Sequence, residues 1–159
     1  MTDNTINMDD AVDAVDAVDA EDADEGPFPP TVLVAAVWSF FSGEKFSDPA
    51  EFDRRVREYH VGVTEHDTWD PDEVVLPVPR VRVMYFGVES PDDEEYTDFV
   101  TELVSDDGAQ FTARELLLKL NNAVAPHLEG VDHCHYEGLF LTEQVGEDGV
   151  PVYEMMQGS

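Results

Sequence analysis

Cysteine and lysine are almost missing from this chain, which has Cys134 alone and only two lysines, Lys45 and Lys119. A single cysteine excludes an internal disulfide framework and suits a reducing cytoplasm, the expected location. Long apolar runs are missing too. The longest, Val32 to Phe41, is ten residues and includes Ser39, about half of what a membrane-spanning helix needs. The N-terminus has no basic stretch followed by an apolar one, so a secretory leader is not expected. Also absent are a G-x-S-x-G elbow, a Walker loop, a G-x-G-x-x-G turn and an H-E-x-x-H pair. Their absence removes the readily recognised hydrolase, nucleotide-binding and zincin classes.

What is abundant is negative charge. Against 8 Lys plus Arg stand 37 acids, for a net charge of −29. Such self-repulsion opposes a compact state in dilute buffer. It fades in molar salt, where the Debye length falls to roughly 3 Å. An acidic, lysine-poor composition rich in Ala, Val, Asp and Glu resembles that of proteins from salt-in halophiles, mostly archaeal, whose cytoplasm is concentrated KCl. The resemblance is one of composition and implies an environment rather than an activity. A surface this acidic repels phosphate backbones, so nucleic acid is not an expected partner; nor is a membrane.

Residues 1–26 form a compositional unit of ten acids and no bases, built on AVDAVDAVDAEDADE. Its period is three, so on a helix its valines would drift by about 60° per repeat and make no stable apolar stripe. A disordered acidic tail over residues 1–30 is the expectation, ending at the prolines of PFPP. The remaining residues, 31–159, hold 27 acids against 8 bases and are expected to form one domain.

Within that domain, Thr31 to Phe41 reads as a strand buried on both faces. Asp48-Pro49 starts a helix whose stripe is Phe52, Val56 and Tyr59, ending near His60. Glu73 to Val88 has strand composition, but Pro77 and Pro79 make it an edge or break it in two. From Arg80 onward the alternation is clean, with Val81, Val83 and Tyr85 on one face and Arg80, Arg82, Met84 and Phe86 on the other. Ser90-Pro91-Asp92-Asp93 predicts a second helix with Tyr96, Phe99, Val100 and Leu103 as its core face. A third starts at the capping box Thr112 to Glu115, stapled by Phe111 and Leu116. His133 to Thr142 and Val150 to Met156 read as a hairpin. The order implies an α+β fold, a mainly antiparallel sheet of about four to five strands with three helices packed on it.

The densest group of chemically able side chains is Asp132-His133-Cys134-His135-Tyr136-Glu137. If a strand starts at His133, then His133, His135 and Glu137 line one face, about 7 Å apart. Two imidazoles and a carboxylate would accept a divalent transition metal. Cys134 would face the other way, with neither histidine as its base. The competing expectation is a half-exposed strand face whose histidines bond to water or nearby carboxylates. Other candidates are few. Arg80 and Arg82 share a strand face and can grip carboxylates, in this chain or a partner's. Trp69, in a polar loop, folds back onto the sheet or anchors a partner.

No constellation points firmly to catalysis. The favoured expectation is therefore a small non-enzymatic accessory or protein-interaction domain, with another protein as partner and no cofactor. The alternative is a metal-binding protein or metal-dependent enzyme using His133, His135 and Glu137. A nucleic-acid mimic is a third class, resting on net charge alone.

Overall fold

A computed structural model describes residues 28–90 and 92–158. The disordered tail expected over residues 1–30 lies, as far as residue 27, outside the described residues. In chain order the elements are β1 (Thr31–Val32), β2 (Trp38–Ser39), α1 (Pro49–Thr64), β3 (Val74–Leu76), β4 (Arg80–Gly87), β5 (Thr97–Val104), β6 (Phe111–Thr112), α2 (Ala113–Leu128), β7 (His135–Val145) and β8 (Pro151–Gly158). The class is α+β. The main sheet, expected with about four to five strands, has six among the described residues: it runs β1-β7-β8-β4-β5 with the short β2 also on β7, and β3 pairs with β6 apart from it. Its pairs are antiparallel except β4 with β8, which is parallel.

Both helices begin where side-chain oxygens meet free backbone amides. Asp48 accepts from the Ala50 amide at 3.0 Å with Pro49 next in line, and Thr112 accepts from the Glu115 amide at 3.2 Å. The capping box is only half made. The Glu115 carboxylate turns instead to the Asp106 amide and Lys119. The α1 stripe is Phe52, Val56 and His60 rather than Tyr59, and the helix runs on to Thr64. Pro126 sits inside α2, which continues to Leu128.

Two expectations are corrected. Among the described residues there are two helices, because the segment expected as the second is β5, paired along its length with β4 from Arg80↔Val104 to Gly87↔Thr97. Pro91 of the supposed helix start lies outside the described residues. Thr97, Val100, Thr101 and Val104 are β-branched and stiff at χ1, which suits a pleated ladder better than a helix. The Thr31–Phe41 strand is likewise two short ones. Leu33 turns between them in the left-handed region, at φ 53°. Ala36 donates to the Leu33 carbonyl at 3.3 Å, and β1 and β2 each bridge to β7.

α2 covers one face of the sheet, its Leu116, Leu117, Leu120 and Val124 packed out of water with Val81, Val83, Leu139 and Tyr153. α1 packs beside α2 and against β2, through an edge-to-face group of Trp38, Phe46, Phe52 and Tyr59. At the core of that junction is an amide. Asn121 accepts from the Trp38 indole at 3.0 Å and donates to the Glu44 carbonyl at 3.0 Å. Asn122 clips Phe46 through its backbone N–H and C=O.

Candidate functional site

Directly paired residues of neighbouring strands project to the same face of a sheet. Phe140 of β7 pairs with Glu154 of β8, which pairs with Met84 of β4, which pairs with Val100 of β5. These four make one continuous row across the face that α2 does not cover. Strand alternation adds Phe86, Met156 and Val104 to it. Val100 is 62% exposed, Val104 49%, Met156 43% and Phe140 39%. The opposite row, Leu141, Tyr153, Val83 and Thr101, faces the helix.

Arg80 and Arg82 stand on the open face and are tied within the chain. Arg82 holds Asp148 with two guanidinium nitrogens at 3.3 and 2.7 Å, and Glu102 with its Nε at 3.0 Å. Arg80 reaches the same two carboxylates at 3.4 and 3.5 Å. The Arg82 guanidinium, with the Val150 amide behind it, lowers the Asp148 carboxyl below its ordinary range; Asp148 and Glu102 in turn raise Arg82. Gly146 lies against this guanidinium, where a Cβ would collide with Nη1.

Trp69 folds back. It is 6% exposed and donates from its indole to Asp53 at 2.6 Å. It lines a cavity of about 240 Å³ with Val34, Ala36, His60, Asp70 and Glu73. His60 is buried, its Nε2 bonded to the Thr68 hydroxyl at 2.6 Å, while its Nδ1 has no partner among the described residues. The α1 stripe carries His60 there at a spacing of four from Val56. Its position on that stripe was the signal, overlooked in favour of Tyr59.

The Asp132–Glu137 segment is divided by the start of β7 at His135. His133 precedes the strand, so alternation does not bring it onto the His135 and Glu137 face. Its ring stands edge-on between Phe86 and Tyr96, at centroid distances of 5.8 and 6.0 Å. His135 and Glu137 do share a groove, with Val34, Trp38, Tyr59 and Val63. Glu137 also lies against Gly158, where a Cβ would meet its carboxylate. Among the described residues, no three His, Cys, Asp or Glu side chains form a group that could hold a metal ion. The expectation that Cys134 faces away from both histidines is corrected. Lying before the strand, it places its sulfur 4.0 Å from His135 Nδ1 and 3.7 Å from the Ser39 hydroxyl. It is buried.

Elsewhere the Tyr85 hydroxyl meets His127 Nδ1 at 2.7 Å, and His127 stacks flat on Phe99 at 4.0 Å. Burial pushes Tyr85 up to about 12, so it stays protonated and bridges α2 to the sheet. No helix among the described residues is long and apolar enough to cross a membrane. Compared with known protein families, curated proteins and solved structures, the chain matches none. The open-face row Phe140, Met84 and Val100 escaped sequence reasoning because it needs β5 to be a strand. The available signal was four β-branched residues, Thr97, Val100, Thr101 and Val104, within the eight of Thr97 to Val104.

Proposed function

We propose that this chain is a non-enzymatic accessory domain of a halophile cytoplasm that binds another protein through the open face of its sheet. The observation that carries the reading is the open-face row Phe140, Glu154, Met84 and Val100, in which the apolar side chains of Met84 and Val100, with Phe86, Met156 and Val104 beside them, are interrupted only by the Glu154 carboxylate, on a molecule of net charge −29. Contiguous exposed apolar side chains rimmed by charge mark association sites. Methionine suits such a face because its unbranched side chain adapts to a partner's shape. Arg80 and Arg82, with both their carboxylates, supply a polar rim already neutralised within the chain. In molar salt, long-range repulsion from the remaining acids is screened and apolar contact governs association.

The test is affinity capture in molar KCl with the wild-type chain and a Phe140→Glu, Met156→Glu double variant. Both side chains are exposed, so the variant keeps its melting temperature. The reading expects a discrete protein held stoichiometrically by the wild type and lost from the variant. The same proteins on both baits, or none on either, would refute it.

A further inference from the structure

The two edges of the main sheet differ. The first part of β7, from His135 to Phe140, is bridged by β1 and β2, whereas β5, among the described residues, pairs with β4 alone. Its free edge spans eight residues and is guarded at one end, where Lys119 of α2 bonds the Val104 carbonyl. It contains no proline, its register with β4 has no bulge, and its acids Asp98 and Glu102 stand on the sheet face rather than pointing across the edge.

The direction of the free groups follows from two hydrogen bonds. The Ser105 amide turns inward to the Pro79 carbonyl at 2.9 Å, while the Val104 carbonyl turns outward to Lys119 Nζ at 2.5 Å. Strand alternation then places the backbone groups of Asp98, Val100, Glu102 and Val104 on the outer edge. We infer that this edge pairs antiparallel with the β5 edge of a second copy of the chain, about a two-fold axis at Thr101, to make one continuous sheet. The inference concerns the strand edge and is independent of what binds the open face.

Charge selects the register. With Thr101 on the axis, Asp98 lies opposite Val104 of the second copy and Val100 opposite its Glu102, so no acid faces an acid and all four outward residues are paired. Centring on Val100 sets Asp98 against Glu102, and centring on Glu102 sets that residue against itself; like charges directly opposite are destabilising. The chosen register also brings the second copy's Asp98 opposite Val104, whose carbonyl holds the Lys119 ammonium. Because the two-fold pairing is isologous and uses the β5 edge of both copies, it closes at two chains rather than growing into a fibre.

The test is mass in solution with cysteine trapping, in molar KCl. The wild type is expected at twice its 17.8 kDa chain mass. Thr101→Cys places its two sulfurs across a pair whose Cα atoms are about 4.5 Å apart, within disulfide reach, and is expected to form a linked dimer on mild oxidation. Val100→Cys, offset across the axis, is expected to cross-link no more than the wild type with its buried Cys134. Val100→Pro deletes an outward amide without touching the β4 ladder and is expected at monomer mass. A wild type that stays monomeric at high concentration, a dimer that survives Val100→Pro, or Val100→Cys linking as readily as Thr101→Cys would each overturn the inference.

Discussion

Asn121 is a buried amide with every polar atom used, between the Trp38 indole, the Glu44 carbonyl and Asn122. Replacing it by Leu strands the buried Trp38 indole N–H, and is expected to cost about 1–3 kcal/mol in urea or thermal unfolding in molar KCl. Gly87 is constrained by approach: a Cβ there would lie 2.5 Å from the His127 carbonyl, which accepts from Val88 at 2.9 Å. Gly87→Ala is expected to lose about 1–3 kcal/mol by overpacking. Trp69→Ala, as loss of a core side chain, is expected to cost about 3–5 kcal/mol, and near-zero loss would return Trp69 to the role of an exposed anchor. Two carboxylates set an acid limb. Arg82 holds Asp148 low, and the Gln110 and Ala109 amides hold Asp107 low, from an ordinary value of 3.8. Their stabilisation is complete above that value and is lost as pH falls through the depressed folded-state values. Carboxyl NMR titration of Arg82→Ala should move the Asp148 midpoint up and leave Asp107 in place. At this scale local signals were readable, such as the Asp48 and Thr112 caps. Asn121 was not, because its partners Trp38 and Glu44 lie 83 and 77 residues away.

Elements divide the same way. α1, α2 and the β7–β8 hairpin announce themselves by caps, stripes and an Asp-Gly turn within a few residues. β5 does not, because Ser90-Pro91-Asp92-Asp93 is as good a turn as a helix start, and only the neighbour β4 decides between them. The open face is hidden with it, since Val100 reaches the surface row only through its register with Met84. The start of β7 matters equally for the histidines. A strand beginning two residues later separates His133, held between Phe86 and Tyr96, from the His135 and Glu137 groove. The partner-binding reading expects protein purified in molar KCl without chelator to carry no stoichiometric transition metal. It also expects chelation to leave the melting temperature unchanged. A stoichiometric metal lost in His135→Ala with Glu137→Gln would replace it with the metal-site reading.

The whole molecule is governed by its −29 charge. Ion pairs absorb some of it: Arg54 bonds Glu51 and Glu58, Arg55 bonds Glu44, Arg57 bonds Asp67 and Lys119 bonds Asp106. These exposed pairs are screened by salt and contribute too little to offset the repulsion of the unpaired acids. Stability is therefore expected to rise steeply with KCl until the Debye length drops to a few ångströms, and full cooperative unfolding in dilute buffer would count against the halophile reading. Composition made this property readable in the sequence. The proposed binding face was not, because it is defined by four strands from distant parts of the chain. Methyl NMR in molar KCl, with the captured partner titrated into the labelled chain, tests that face directly. Met84 and Met156 are expected to shift and saturate at one stoichiometry while Met155, 2% exposed on the helix side, stays in place. Unmoved Met84 and Met156 beside a perturbed His135 and Glu137 groove would contradict it.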